Sequence, residues 1–273
     1  MTDSPAHAWT RRRATSSLGY PEASLTDLCA LAMRHGLDAV ELRVLEGRLD
    51  LPAYFSVKYG TPTAFAETAR IQPVPIALLG TSFQLRRHTQ AEVDALLAFV
   101  PWAEAAGIPW LRIFDGDGTW DDEARAQAAR FLAHWETLRE QRGWQSRLLI
   151  ETHSSLLTAE SLHAFAVASP HALYLWDAHH TWKHSREEPQ KTFAAISERV
   201  RHVHVKDSVP RPYKNFGYTY VLPGQGDFPI QQVLAALNTG FSGLVSLEWE
   251  RQWHPYLPSL DEALSSAAAA RWW

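Results

Sequence analysis

LYLWDAHHTW, residues 173–182, sets the problem. It begins as an apolar strand, Leu173-Tyr174-Leu175-Trp176, and stops at a carboxylate and two imidazoles, Asp177, His179 and His180. VRHVHVKD, residues 200–207, repeats the theme, alternating valine with histidine before closing on Lys206 and Asp207. Two further runs end the same way: RLLIETH at 147–153 and LVSLEWE at 244–250. Short apolar runs that finish in charge read as buried strands delivering polar groups to one edge of a sheet.

Working outward, strands are expected at 14–18, 39–45, 74–79, 110–114, 147–151, 173–177, 200–205 and 244–249. Helical patterns lie between them. Leu25, Leu28, Cys29, Ala32 and Met33 share one face of a helix at 24–35. Thr89-Gln90-Ala91-Glu92 reads as a capping box opening a helix that Gly107 ends. Ala124, Ala128, Phe131, Trp135 and Leu138 step along one face of a helix at 121–141. Further helices are expected from Thr158 to near Pro170, at 188–196, at 230–237 and at 259–269.

Strand–helix alternation implies a parallel sheet, and about eight repeats suit a closed α/β barrel. The expectation is a single (β/α)8 TIM barrel over residues 14–273, after a flexible lead at 1–13. An open doubly wound sheet fits less well, because no Gly-x-Gly-x-x-Gly follows the first strand.

Composition narrows the function classes. The chain has 273 residues, 46% of them hydrophobic, and a net charge of −4. No long basic run marks a nucleic-acid surface, and no apolar stretch is long enough to span a bilayer. The one cysteine, Cys29, lies in an apolar pattern and reads as core. A single cysteine and no signal-like leader point to the cytoplasm. Nothing in the sequence decides between a monomer and a homo-oligomer.

In a barrel, function gathers at the C-terminal ends of the strands. Glu151, Asp177, His204 and Glu248 stand at or near four successive strand ends. Singly, each has an ordinary reading as a helix cap or an ion-pair partner. Together they make an oxygen-rich site suited to one divalent cation, Mn²⁺ first, with Mg²⁺, Co²⁺ or Zn²⁺ also compatible. Arg112 and Asp115 on the fourth strand suit either a structural pair or contacts to a ligand's hydroxyls. Glu41 either lines the pocket or pairs with Arg43. Of the adjacent His179 and His180, at most one faces the metal. Six tryptophans, Trp110, Trp120, Trp176, Trp182, Trp249 and Trp253, are expected near the mouth, half of them as packing.

The set Glu151-x-His153, Asp177-x-x-His180, His202-x-His204-x-Lys206-Asp207, Gly224-Gln225-Gly226-Asp227-Phe228 and Ser246-Leu247-Glu248 resembles the xylose-isomerase-like sugar isomerase/epimerase superfamily. The resemblance implies Glu151, Asp177, His204 and Glu248 as metal ligands. It also implies Glu151 and Glu248 as the catalytic acid and base of an isomerisation or epimerisation through an enediolate. His180 and a base after the seventh strand, Lys206 or Arg211, would contact substrate. His153, Arg112, Trp176 and Glu41 complete the expected substrate contacts. The partner is then a small carbohydrate, with no nucleic acid and no membrane. Elimination from a keto-sugar, keto-glycoside or keto-cyclitol is the alternative, since it starts with the same proton abstraction. An apurinic-endonuclease-like hydrolase would need further histidine ligands that are missing after the third and fourth strands. A non-catalytic sugar-binding barrel would have lost ligands that are present here.

Overall fold

A computed structural model describes residues 12–214 and 216–272. Ten strands occur among them: β1 Arg12–Ser16, β2 Ala39–Leu42, β3 Ile76–Gln84, β4 Trp110–Phe114, β5 Arg147–Glu151, β6 Tyr174–Asp177, β7 Val200–Val205, β8 Asp207–Val209, β9 Thr219–Val221 and β10 Leu244–Leu247. Eight of these, all parallel, close in the order β1-β10-β7-β6-β5-β4-β3-β2. The expected single (β/α)8 barrel is therefore present, each strand fed by a helix that returns the chain to the starting edge.

The side chains divide by strand parity. Ala14, Ala39, Ala77 and Leu244 form one apolar cluster inside the barrel, and Leu78, Leu149, Leu173 and Leu175 a second. The alternate residues, such as Val203, Val205, Trp176 and Leu247, belong to the larger core between strands and helices. Successive side chains on a strand point to opposite faces, so both surfaces of the sheet are filled; the adjacent Ala77 and Leu78 depart from this where the β2–β3 register shifts between Val40 and Glu41.

Several boundaries move. β1 starts at Arg12, so part of the expected lead is strand; residues 1–11 of that lead lie outside the described residues. Arg13 anchors this start, its backbone N–H donating to Asp38 Oδ2 at 2.7 Å and its Nη2 to Gly36 O at 2.7 Å. The Thr89 capping box forms, but the helix it opens is broken into Gln90–Leu97 and Val100–Ala106. Pro101 accounts for the break, because it has no N–H to donate to Leu97 O. Gly107, at φ 65°, ends the second piece. Cys29 is fully buried, and burial pushes its thiol up to about 12.

Three helices were not expected: Leu51–Tyr59, Pro62–Arg70 and Ala178–Ser185. The last starts directly on β6, with Asp177 as its N-cap. β8 and β9 form an antiparallel hairpin outside the barrel, rising from the end of β7 over the mouth. Asp207 ties its base to the chain beyond, accepting N–H bonds from Gly224, Gly226 and Phe228 at 2.9–3.1 Å. Among the described residues no helix is long and apolar enough to cross a membrane.

Candidate metal centre

Strand parity brings the expected donors together. Asp177 on β6 is in register with His204 on β7, which is in register with Ser246, two residues before Glu248. Glu151 closes β5. Donor atoms of Glu151, Asp177, His204 and Glu248 all lie within 4.8 Å of one another, and all four residues are buried.

Each donor is held by something else. Glu151 Oε2 meets Arg112 Nε at 3.1 Å, and its Oε1 lies 3.4 Å from His204 Nδ1. Asp177 divides its oxygens. Oδ1 accepts the His180 amide at 2.7 Å as a helix cap, and Oδ2 faces Lys206 Nζ at 2.8 Å. Glu248 Oε2 lies 3.3 Å from His204 Nδ1 and contacts Lys206 Nζ.

Behind this layer sits Glu41. Contrary to both expected readings, it neither lines the cavity nor pairs with Arg43. Its Oε1 meets His202 Nε2 at 2.6 Å and its Oε2 meets His204 Nε2 at 2.9 Å. Burial raises the Glu41 carboxyl, but His204 and His202 more than offset this and hold it well below the usual carboxylate range. An ionised carboxylate only accepts, so His204 must donate from Nε2. That leaves Nδ1 free to face Glu151 and Glu248, and Nδ1 makes no hydrogen bond.

The charge balance points the same way. Buried Glu41, Glu151, Asp177 and Glu248, with the partly exposed Glu250 beside them, face Arg43, Arg112 and Lys206. Two negative charges are left over with the imidazoles neutral. Burial, modulated by Lys206, Glu248 and Glu151, pushes Asp177 up to about 6. His204 is pulled down by burial, but Glu248 and Glu41 raise it well above the ordinary histidine value. Both shifts are the response of a crowded acidic cluster short of positive charge. Three carboxylates, one imidazole lone pair and two uncompensated charges fit one divalent cation.

Above the cluster opens a cavity of about 410 Å³, the size of a small-molecule site. His153 and His180 line it, their ring centroids 4.7 Å apart. His179 turns the other way, its Nε2 2.8 Å from Ser208 Oγ. One imidazole of the adjacent pair therefore reaches the cavity, as expected. Arg112 also lines the cavity, whereas Lys206, expected as a substrate contact, does not. Lys206 is fully buried among Asp177, Glu248 and Glu250, which raise its ammonium well above the ordinary value despite burial.

Trp176 and Arg211, expected as substrate contacts, lie outside the cavity. Trp176 is next to Asp177 and so points out of the barrel, where it packs on Phe193 and donates to Thr181 Oγ1 at 2.9 Å. Arg211 lies exposed on the hairpin loop and does not line the cavity. Lys214 and Phe216 of the same loop do. Asp115 does not pair with Arg112 but accepts the backbone N–H groups of His153, Ser154, Ser155 and Leu156 at 2.8–3.2 Å. Of the six tryptophans, only Trp253 lines the cavity. Arg43, Tyr220 and Glu250 were not assigned to the site. Parity could have found two of them, since Arg43 follows Glu41 by two residues and Glu250 follows Glu248 by two.

The xylose isomerase-like TIM barrel family model matches residues 29–273. The chain belongs to that family. A search of curated proteins finds no match. Among solved structures, the family fold recurs in the probable 3-DHS dehydratase AsbF of petrobactin synthesis from Bacillus anthracis, at TM-score 0.74 and 16% identity, over 95% of this chain and 98% of that one. It recurs in the IolI protein with a bound zinc atom, at TM-score 0.73 and 17% identity, over 95% and 96%. A xylose isomerase domain protein from Planctomyces limnophilus gives TM-score 0.67 and 15% identity, over 96% and 94%.

Proposed function

We propose that this chain is a divalent-metal-dependent isomerase or epimerase of a small carbohydrate carrying a carbonyl beside a hydroxyl. The supporting observation is the convergence of Glu151, Asp177, His204 and Glu248 within 4.8 Å beneath a cavity at the C-terminal mouth. A bound cation, Mn²⁺ first, supplies Lewis acidity toward the carbonyl and its neighbouring hydroxyl. Glu151 and Glu248 come from strands separated by β6 and β7, so they approach the substrate from different sides. One takes the proton from the carbon beside the carbonyl, and the other returns a proton to another face or another carbon. Arg112 orients Glu151 through its Nε contact, and Glu41 orients His204. Burial, together with Lys206, lowers the His180 imidazole well below its ordinary value, so it meets the substrate neutral.

Elimination is the second reading, since it starts with the same proton abstraction. Relatives bear both kinds of name, one a probable dehydratase and another a xylose isomerase domain protein.

Metal content comes first. About one Mn, Co, Mg or Zn per chain, lost in Asp177→Ala with His204→Ala, supports the site; no metal after Mn²⁺ soaking overturns it. Candidate ketoses are then incubated with loaded protein in D₂O and followed by NMR. Deuterium entering beside the carbonyl, abolished by Glu248→Gln, supports proton transfer by the glutamates. A product of unchanged mass assigns an isomerase, and one lighter by a water assigns a lyase.

A further inference from the structure

One wall of the cavity carries more positive charge than the metal cluster uses. Arg43, just beyond the end of β2, and Arg112 on β4 both line the cavity and both are buried. β3 lies between those strands and presents Gly80 to them. A Cβ at Gly80 would stand 2.9 Å from Arg43 Cδ and 2.9 Å from Arg112 Nη2. The missing side chain is what lets two arginines lie against each other across the strand.

Like charges packed this way in a dry wall repel unless an anion sits between or before them. Arg112 has one, Glu151. Arg43 has none within ion-pair distance among the described residues. Its contacts are Ser82 Oγ at 2.8 Å from Nη2 and a long 3.4 Å contact from Nη1 to Leu49 O. Burial and the neighbouring Arg112 pull Arg43 down to about 10, so it stays charged at neutral pH. A buried guanidinium facing a cavity, with donors to spare and a second guanidinium beside it, is built to receive a planar anion.

Resting on the carbohydrate reading above, we infer that Arg43 and Arg112 form a carboxylate-binding subsite, and that the substrate is a hydroxylated keto acid rather than a neutral sugar. The anion is a carboxylate and not a phosphate for reasons of charge. With one divalent cation bound, Arg43, Arg112, Lys206 and the ion match Glu41, Glu151, Asp177, Glu248 and the partly exposed Glu250. A single further negative charge is matched by Lys214 at the mouth, whereas a dianion is not.

Three probes differing only at C6 test this: D-fructose, D-fructuronate and D-fructose 6-phosphate. Their binding to the Mn²⁺-loaded protein is measured by calorimetry, with metal content determined on the same samples. D-Fructuronate is expected to bind at least about tenfold tighter than D-fructose, and tighter than the phosphate. In Arg43→Gln the acid-to-neutral ratio falls to about one. Arg43→Lys, which keeps the charge but loses the planar fork, gives a ratio in between and serves if Arg43→Gln does not fold. A purely structural arginine would lower the melting temperature and leave the ratio unmoved, which overturns the subsite. A ratio near one in the wild type, or tighter binding of the phosphate, also overturns it. Loaded protein with no carboxylate preference leaves the metal site standing. Protein that never takes up metal defeats the functional reading instead, and the ratio is then measured on the metal-free protein.

Discussion

Lys206 Nζ lies 2.8 Å from Asp177 Oδ2, an ammonium set within the same group of carboxylates that suits a divalent ion. In the metal-free protein, Lys206 is the main local compensation for Asp177 and, after His204, for Glu248. Removing one partner of a buried pair leaves the others uncompensated. Lys206→Met is therefore expected to cost about 3–5 kcal/mol in urea unfolding with chelator present. Mn²⁺ should restore more stability to the variant than it adds to the wild type. Equal metal-induced gains in both proteins would show that lysine and ion do not share these carboxylates.

Glu41 reaches the site only through His204 and His202. Glu41→Gln keeps the shape but offers a single acceptor oxygen to two imidazole N–H groups. One bond is lost, and the His204 tautomer is no longer fixed. Metal affinity should fall about 10–100-fold, read by competition with a chromophoric chelator. An unchanged affinity would mean that the strand alone orients His204.

Glu104 offers a pH test away from the metal cluster. Its carboxylate accepts the Gln145 amide at 2.9–3.0 Å, the Ser146 amide at 2.7 Å and Ser146 Oγ at 2.6 Å, pinning the chain just before β5. Burial opposes ionisation, but these bonds from Ser146 and Gln145 hold the carboxyl below the ordinary glutamate value. The folded state thus binds that proton less readily than the unfolded state. The stabilisation is complete above the ordinary value and is lost as pH falls through the lowered one. Glu104→Gln should destabilise at pH 7 and matter progressively less in acid. A difference in melting temperature that stays constant from pH 7 into acid would refute the assignment.

Gly226→Ala should disrupt the base of the hairpin. A Cβ there would overlap Asp207 Oδ1 and stand 2.6 Å from Ser208 O. Neither can yield freely, since Asp207 is tied to four backbone amides. A loss on the order of 3 kcal/mol is expected, with weaker ligand binding because Tyr218 and Tyr220 of this hairpin wall the cavity. A melting temperature equal to wild type would show that the loop has room.

The convergence of the four candidate donors was legible because charge at the end of an apolar strand is costly unless it is used. Glu151 and Asp177 interrupt otherwise hydrophobic runs, and four such interruptions share one barrel edge. Trp176 was misread because its nearness to Asp177 in sequence outweighed strand parity, which sends neighbours to opposite faces. Arg211 was misread because a hairpin loop has no periodicity to say which way its side chains turn. The strands β8 and β9 are three residues each, too short to show a pattern. The partners of Glu41 and Asp115 depend on how distant segments meet, which a linear reading does not contain.

Asp177 gives one oxygen to the His180 amide and the other to the charged cluster. The start of the helix Ala178–Ser185 and the filling of the site are thus mechanically joined through a single side chain. Hydrogen exchange at the His180 amide becomes a gauge of occupancy: whatever steadies Asp177 slows that exchange, and whatever draws the carboxylate away opens the first turn. A ligand above the metal would be felt in the backbone at His180 before any product forms.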